Sequence, residues 1–399
     1  MTDTVAGSPL PESQPASTPA PGSARVMSID ALRGFDMFWI AGGGPLVASL
    51  AALLCYPHPV PPWLVHHMKH VEWTGFSGWD LIMPLFLFLS GVSIPFAYAR
   101  RLSETRDYRA IYRRMARRFA LLWILGMIAQ GNLLQVVWAS ITGIFGYEPF
   151  DSPVHLHLFS NTLQAIAVGY VIAAVAFLHL SPRQQIGLCA GLLVVYWGLM
   201  MFVPGPDFPA GHLEPRQNLA LWIDEQVLGR FRDGTTYAWI LPGLGFGASV
   251  LLGSFAGQVL RVKTWTPGRH FLVLCGLGIG CLAGGWLWSF HFPIIKHLWT
   301  SSMVLWAAGW SYLLLAAFYL LIDIWGFRKP AFPFVVLGAN AIVAYILPHI
   351  IEFDDIVMWI GRIPEAHSVT ADFVISAIAF AMLWIPLYGM YRKKIFVKV

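Results

Sequence analysis

The sequence predicts an all-α polytopic membrane protein with about ten transmembrane helices and both termini in the cytoplasm. Of its 399 residues, 57% are hydrophobic and only 12% are charged, whereas a soluble domain carries about 25% charged residues. Apolar runs recur along the whole chain, close to the roughly 20 residues that a helix needs to cross a bilayer. The distribution of Lys and Arg between these runs is the third observation, and it predicts the orientation.

Two glycine-rich stretches, GGG at 42–44 and GLGFG at 243–247, lie inside the predicted spans. Glycine in such a position allows either close helix approach or a broken helix.

The turn between the fourth and fifth spans falls at SPRQQ. The ten spans are 29–53, 80–99, 118–138, 160–180, 185–204, 237–260, 270–290, 302–323, 333–351 and 370–391.

Charge sets the orientation of these spans. If the N-terminus is cytoplasmic, the cytoplasmic segments carry 20 of the 26 Lys and Arg residues and the outer segments carry 6. The positive-inside rule then predicts that both termini are inside and that the connection at 63–80 is outside. Topology therefore explains the net charge of +5. We expect a lipid bilayer around the chain and no nucleic-acid partner.

Residues 1–24 are predicted to be a disordered cytoplasmic tail, and residues 25–399 a single transmembrane domain. The tail holds five prolines and no basic residue, so it lacks the features of a secretory signal. The four cysteines show no C-x-x-C spacing. We therefore expect neither a disulfide nor a cysteine-based metal site.

The connection WLVHHMKHVEWTGFSGWD, at 63–80, places three histidines within five positions. Histidine suits proton transfer near neutral pH, because its ordinary pKa is about 6.5. Glu72 is two residues from His70 and is a candidate to orient its ring. The spacing of His66 and His70 also suits a metal pair, but no H-E-x-x-H pattern is present and no metal is expected.

The tryptophans of this stretch, Trp63, Trp73 and Trp79, fit either an interfacial belt or a platform for a sugar ring.

Ionisable residues also occur within the predicted spans. Asp30, Arg33 and Asp36 begin the first span, and Asp80 begins the second. Such groups are costly at membrane depth and are candidates for function. Asp30 and Arg33 are three residues apart, so a purely structural pair is an equal alternative. For Asp80, which is close to His70 in sequence, we favour a role in the site.

A run of arginines, RRLSETRDYRAIYRRMARR, follows the second span and begins with Arg100 and Arg101. It is typical of a solvated cytoplasmic face. Arginine also binds phosphate oxygens well, so a polyanionic ligand is a second interpretation. The sequence has neither a P-loop nor a G-x-G-x-x-G motif.

Several stretches together resemble one family. They are SIDALRGFDMFW with the following GGG, KHVEWTGFSGWDLIMPLFLFLSGVSI, NTLQAIAVGY, IKHLWTSSMVL, LGANAIVAY and YRKKIF. They are similar to motifs of the transmembrane acyltransferases related to lysosomal heparan-α-glucosaminide N-acetyltransferase. The resemblance runs in the family's order from about residue 28 to the C-terminus. It extends to bacterial relatives that resemble an inner-membrane protein linked to N-acetylglucosamine use.

The resemblance implies an acyl-CoA-dependent acyltransferase that spans a bacterial inner membrane several times. Such an enzyme takes acetyl from cytoplasmic acetyl-CoA, without a metal, and transfers it to the amine or hydroxyl of an amino sugar at the outer face. The chain lacks the lysosomal enzyme's large lumenal domain, so we expect a small amino sugar or a short glycan as acceptor. The resemblance also makes a homodimer an expected assembly.

The family's catalytic histidine follows a lysine and precedes a tryptophan by three residues, which corresponds here to Lys69, His70 and Trp73. The resemblance thus implies that His70 is the general base or the acyl carrier, with Asp80 or Glu72 orienting it.

The remaining site residues are also implied by the resemblance. Acetyl-CoA phosphates are expected near Arg33, Arg100 and Arg101. Trp73, Lys296, Trp299 and Asn340 are expected to bind substrate, and Lys296 or Asn340 would donate a hydrogen bond to the developing oxyanion. One position departs from the family pattern: the lysosomal enzyme has an asparagine thought to assist catalysis two residues before its GGG, and this chain has Ile40.

Two other functions fit the residues. An amino-sugar or N-acetylglucosamine permease would use the outer aromatic and polar residues as its binding site, with Asp80 or Asp36 coupling protons. A non-catalytic membrane component of an export system is the third interpretation. The residues alone leave enzyme and permease nearly even, and the resemblance favours the enzyme.

Overall fold

The structure is a computed structural model that describes residues 26–104, 107–144, 154–363 and 368–397. The predicted tail at 1–24 lies outside the described residues, as do the side chains at 100–104 and 143–144. The fold is helical almost throughout, so the predicted all-α membrane class is confirmed. One short antiparallel pair, β1 (Leu213–Glu214) and β2 (Gln217–Asn218), is the sheet of the described part. The helices are α1 (Met27–Phe38), α2 (Gly44–Cys55), α3 (Pro62–His67), α4 (Ile82–Glu104), α5 (Tyr108–Ala129), α6 (Leu133–Ile144), α7 (Thr162–His179), α8 (Pro182–Phe202), α9 (Leu219–Leu228), α10 (Gly243–Leu260), α11 (Pro267–Ser289), α12 (Ser301–Phe318), α13 (Arg328–Ala339), α14 (Ala341–Ile350), α15 (Phe353–Gly361) and α16 (Val369–Arg392).

The number of helices that can cross a membrane agrees with the sequence. Within the described ranges, eight helical segments are long and apolar enough, and two bent pairs raise the number to ten. The first segment, Met27–Cys55, contains α1 and α2. Between them Gly42 has φ +99°, a value that other residues rarely adopt. At GGG, the broken helix is therefore the correct one of the two predicted alternatives.

Helices α4 and α10 cross in the centre of the molecule with almost no side chain between their backbones. A Cβ atom on Gly253 would lie 1.9 Å from the carbonyl oxygen of Phe88, and one on Gly91 would lie 2.0 Å from that of Val250. Only glycine permits this approach. The contact fixes α4 against the core of the bundle, and both ends of α4 carry residues predicted to be functional.

The predicted third and ninth spans are bent. The predicted span 118–138 consists of parts of α5 and α6, which meet at 66°, and 333–351 of parts of α13 and α14, which meet at 67°. The second bend is at Asn340. There the side chain donates to the carbonyl oxygen of Ile395 at 3.1 Å and accepts from the N–H of Val397 at 2.9 Å. The apolar pattern shows the length of such a span but not the tertiary contact that bends it.

The predicted sixth span begins too early. The sequence favoured 237–260, but α10 starts at Gly243. The buried carboxylate of Asp224 accepts the N–H groups of Trp239 at 2.7 Å and Ile240 at 3.0 Å. These bonds hold residues 237–240 in an irregular conformation outside the helix.

The turn predicted at SPRQQ is confirmed. Helix α7 ends at His179 and α8 begins at Pro182. Proline is favoured in the first turn of a helix, and the side-chain oxygen of Gln184 accepts the N–H of Ser181 at 2.9 Å.

Candidate active site

The connection at 63–80 folds back against the segment between α11 and α12. Thr74 forms an antiparallel bridge with Ile295, and the N–H of Gly75 donates to the carbonyl oxygen of Ile294 at 2.9 Å. These backbone contacts bring His70 and Lys296, which are far apart in sequence, to one place at the start of the second span.

The carboxylate of Asp80 is the centre of this cluster. Asp80 is only 1% exposed. Its Oδ1 accepts from Nδ1 of His70 at 2.7 Å. Its Oδ2 accepts from the backbone N–H groups of Val71 at 3.2 Å and Ser77 at 3.1 Å. A buried charge needs partners of this kind. The bonds also fix the carboxylate where it can hold Nδ1 of the imidazole ring.

Lys296 supplies the opposite charge. Its Nζ lies 3.3 Å from Oδ1 of Asp80, and the residue is 5% exposed. Burial lowers the pKa of Lys296 from its ordinary 10.5 to about 8, although the nearby Asp80 raises it. The ammonium form therefore predominates at neutral pH and compensates the buried carboxylate.

The contacts of His70 determine which ring nitrogen carries the proton. Nδ1 lies 2.7 Å from a carboxylate oxygen of Asp80 and 3.2 Å from the ammonium nitrogen of Lys296. A carboxylate at 2.7 Å requires a proton between the two atoms, so Nδ1 donates and cannot also accept from Lys296. In the neutral ring the lone pair is then on Nε2. The His70 side chain is 46% exposed, and this nitrogen is available to a reactant.

The exposed face of His70 borders a cavity of about 980 Å³, a size that suits a small-molecule site. Lys296 lines the same cavity. The other walls combine aromatic, acidic and amide or hydroxyl groups. They include Trp39, Trp79, Tyr237, Trp239, His157, His349, Gln130, Asp233, Glu352, Asp354 and Asp355. Burial raises the pKa of Asp354, and the charge of Asp355 raises it further.

Of the predicted site residues, His70 and Lys296 line this cavity, Asp80 and Arg33 do not, and four others make contacts elsewhere or face solvent. Glu72 is exposed. Trp73 donates its Nε1–H to the carbonyl oxygen of Leu213 at 2.9 Å. Trp299 is buried and donates to Oγ of Ser249 at 3.1 Å. Asn340 is held by the C-terminal segment, as described above. The contacts of Trp73, Trp299 and Asn340 are ones that stabilise the fold. The catalytic and substrate-binding roles of the four residues stay predictions.

Arg33 contacts the middle of α4. Its Nη2 donates to Oγ of Ser93 at 2.9 Å, and its Nη1 is 3.4 Å from Oδ1 of Asp30. Ser93 follows Asp80 by 13 residues, or about 20 Å at the rise of an α-helix. Arg100 and Arg101 are in the last turns of α4, but their side chains lie outside the described part of the structure.

The other histidines of the connection take separate positions. Nδ1 of His67 accepts the N–H of Gly78 at 3.1 Å, and the His66 and His67 rings are 5.1 Å apart. Among the described residues, no group of three His, Cys, Asp or Glu side chains is arranged to hold a metal ion.

Sequence reasoning missed several residues of the cavity. Tyr237 and Trp239 were assigned to a span, so their aromatic rings appeared to be lipid or core contacts. His349 was not singled out. Its Nδ1 lies 2.8 Å from the carbonyl oxygen of Tyr345, and its ring stacks on the Tyr345 ring at 4.6 Å. An N–H at Nδ1 leaves the other ring nitrogen as an acceptor.

The fold and the site together define a multi-pass helical membrane protein with a histidine–carboxylate–lysine cluster beside a large cavity lined by both polar and apolar side chains. The family model described as a domain of unknown function, DUF5009, matches residues 25–143. The chain is 23% identical to human heparan-alpha-glucosaminide N-acetyltransferase, and the match covers 84% of this chain and 56% of the relative. The mouse protein of the same name is 22% identical with the same coverage. The chain thus spans about half the length of the curated relatives it matches, and these matches support a distant relationship to that family.

Proposed function

We propose that the protein is a membrane-embedded acetyltransferase that moves acetyl from cytoplasmic acetyl-CoA to the amine or hydroxyl of an amino sugar at the outer face. The observation that carries this proposal is the bond between Nδ1 of His70 and the buried carboxylate of Asp80, beside a cavity large enough for an acceptor. A histidine oriented by a buried carboxylate is the arrangement of a general base or a nucleophile. The names of the distant relatives support the same reaction class.

His70 acts in this reaction through Nε2. As a general base, Nε2 takes a proton from the acceptor as its amine attacks the thioester carbonyl. The C–S bond then breaks, and the CoA sulfur leaves as a thiolate that takes up a proton. As an acyl carrier, Nε2 attacks the carbonyl first, CoA leaves, and the amine then removes acetyl from the ring. In both routes Asp80 stabilises the imidazolium, and Lys296 limits the cost of burying that carboxylate.

Basic residues at the far end of α4 support a donor site there. Nη1 of Arg261 donates to the carbonyl oxygen of Pro95 at 2.7 Å. The guanidinium of Arg118 lies 4.1 Å from the centre of the Tyr170 ring, and its Nε has no hydrogen-bond partner among the described residues. Arginine forks bind phosphate oxygens well. We propose that this end faces the cytoplasm of a bacterial cell and holds the CoA phosphates, with Arg33, Arg100 and Arg101 contributing.

The walls of the cavity support an amino sugar as the acceptor. The cavity wall carries carboxylates that attract an ammonium group, at Asp233, Glu352, Asp354 and Asp355. Removing an ammonium group from water costs less beside these carboxylates than against an apolar wall. Trp39, Trp79, Tyr237 and Trp239 offer apolar faces to a sugar ring. The family asparagine position is Ile40, which also lines the cavity, so His70 would receive no amide partner from that position.

The test uses purified protein in detergent with acetyl-CoA and a panel of amino sugars, and it follows release of the CoA thiol. We expect sugar-dependent release from the wild type and from His58→Ala, which removes an exposed histidine that precedes the connection. We expect none from His70→Ala. A folded wild-type protein that neither binds nor turns over acetyl-CoA would contradict the proposal and leave the permease as the better account.

A further inference from the structure

The acyl transfer proposed above needs a hydrogen-bond donor for the carbonyl oxygen. When the amine attacks, negative charge develops on that oxygen, and a fixed donor stabilises the transition state. The resemblance suggested Lys296 or Asn340 for this task. In the structure Lys296 is directed to Asp80, and the Asn340 amide N–H is bonded to the backbone of Ile395. Asn340 does not line the cavity, and the ammonium of Lys296 also serves Asp80, so a donor without a competing acceptor has to come from another residue of the cavity wall.

Tyr237 has the required position. It lines the same cavity as His70 and Lys296. It lies close enough to the cluster for the charge of Asp80 to influence its hydroxyl. Within the described ranges, the hydroxyl of Tyr237 makes no hydrogen bond to protein, and it is not enclosed among buried atoms. It is free to donate to a ligand.

The ring of Tyr237 is fixed before any ligand binds. It packs against the imidazole of His297, with centroids 4.0 Å apart and planes inclined by 30°. His297 is itself held, because its Nδ1 lies 2.8 Å from Oγ1 of Thr236 and the edge of Trp73 packs against its ring. The N–H of Ala238 donates to the carbonyl oxygen of His297 at 3.0 Å. Since His297 directly follows Lys296, these contacts join the Tyr237 ring to the catalytic cluster.

The protonation states on this wall suit a donor. Burial raises the pKa of Tyr237 to about 12, and the charge of Asp80 acts in the same direction. The hydroxyl thus keeps its proton at any pH near neutral. Burial, with the charges of Lys296 and His70, lowers the pKa of His297 to about 4. The packing partner is therefore neutral and adds no charge to the site.

We propose that Tyr237 is a catalytic residue whose hydroxyl donates a hydrogen bond to the carbonyl oxygen of the acyl group during transfer. The proposal rests on the acetyltransferase function proposed above. It also gives a role to the irregular segment before α10, because Tyr237 would point elsewhere if the helix began six residues earlier. Trp73 then acts as a positioning residue, through His297, rather than as a sugar platform.

The test compares Tyr237→Phe with Tyr388→Phe. Phenylalanine keeps the ring that packs on His297 and removes one oxygen atom. Tyr388 packs on Trp384 in α16, with ring centroids 5.2 Å apart, and it does not line the cavity. We expect Tyr237→Phe to lower kcat by about 100-fold, the size of the loss of one oxyanion donor. We expect the KM for acetyl-CoA to stay within about threefold and Tyr388→Phe to match the wild type.

A second measurement separates a catalytic loss from a folding defect. Stabilisation of the protein by CoA in thermal unfolding, which needs no turnover, should be the same for Tyr237→Phe and the wild type. An active wild type with Tyr237→Phe at more than one third of its kcat would overturn the role of Tyr237 alone. A rise in KM without loss of kcat, or loss of CoA stabilisation, would also overturn it, because either result assigns the residue to binding or packing. A wild type without activity would overturn the acetyltransferase proposal as well.

Discussion

Nδ1 of His70 lies 2.7 Å from Oδ1 of Asp80, so an exposed imidazole is bonded to a carboxylate buried at the start of a transmembrane helix. The bond leaves the lone pair of the neutral ring on Nε2, and the residue lines the cavity. The same carboxylate oxygen is 3.3 Å from the ammonium of Lys296. Oδ1 of Asp80 thus both orients the His70 ring and meets the charge that compensates the buried carboxylate. Substitution of each of the three residues should therefore have a different effect.

Asp80→Asn should abolish most of the activity. An amide in place of the carboxylate permits the wrong tautomer of His70 and does not stabilise the imidazolium. We expect kcat to fall by about 10³- to 10⁴-fold, as when the orienting carboxylate of a catalytic triad is changed to an amide. The measurement is sugar-dependent CoA release. Activity within tenfold of the wild type would mean that His70 does not depend on Asp80.

Lys296→Met should destabilise the fold. It leaves the carboxylate of Asp80 buried without a compensating charge, which costs about 3–5 kcal/mol. Thermal or denaturant unfolding in detergent measures the effect, and Lys329→Met, at an exposed lysine, is the matched control. The double variant Asp80→Asn/Lys296→Met should recover much of the stability while remaining inactive. Equal stability of the single and double variants would show that the pair is not coupled.

The rate should decline as pH rises through about 8. Burial lowers the pKa of Lys296 to about 8, so the ammonium is present below that pH and is lost above it. Its loss leaves Asp80 uncompensated and disturbs the contact with His70. Lys296→Arg keeps a charge at this position at all accessible pH values. If this variant is active, its rate should persist to higher pH. The same alkaline limit in both proteins would assign the decline to another group.

Gly253→Ala should weaken the centre of the bundle. The added Cβ would lie 1.9 Å from the carbonyl oxygen of Phe88, so α4 and α10 would have to separate. We expect a clear fall in unfolding temperature and a loss of activity, because α4 carries the cluster at its end. Gly276→Ala in α11 is the control, since its Cβ would meet nothing within 4 Å. A similar effect of both substitutions would indicate helix propensity rather than packing.

The acidic wall should select a cationic acceptor. The double variant Glu352→Gln/Asp355→Asn removes two negative charges from the cavity wall. We expect the KM for an amino sugar to rise about tenfold, while the KM for acetyl-CoA is unchanged. An acceptor that reacts through a hydroxyl and carries no charge is the comparison, and its KM should not change. An equal rise for both acceptors would mean that these residues shape the cavity rather than select charge.

The sequence predicts the parts of this fold that depend on local pattern. The length of the apolar runs predicts the helices. His70 and Asp80 can be selected because they are titratable residues in a chain that is otherwise mostly apolar. Tertiary hydrogen bonds accompany both bends, and periodicity does not register them. Asn340 bonds to the C-terminal segment, and the carbonyl oxygen of Gly131, between α5 and α6, accepts the N–H of His157 at 3.0 Å. Tyr237 was missed for a similar reason. Its aromatic ring fits a membrane span equally well. It lies outside the helix because the carboxylate of Asp224 accepts the N–H groups of Trp239 and Ile240.

Trp299 and Asn340 illustrate the opposite limit of sequence reasoning. The resemblance selects both. In the structure one is buried beside Ser249 and the other holds the C-terminal segment, and their substrate-binding roles stay predictions. A motif marks residues that a family needs, and it does not distinguish those that touch substrate from those that position the chain. Lys296 belongs to such a motif as well, and only the backbone bridge between Thr74 and Ile295 shows why it reaches the cluster.

The most direct test of the account is the product itself. Purified wild type, His70→Ala and His58→Ala are incubated with isotopically labelled acetyl-CoA and glucosamine, and labelled acetyl on the sugar is measured by mass spectrometry. We expect labelled N-acetyl sugar from the wild type and from His58→Ala, and none above background from His70→Ala. Equal product from His70→Ala, or no product from a folded wild type with any amino sugar of the panel, would contradict it.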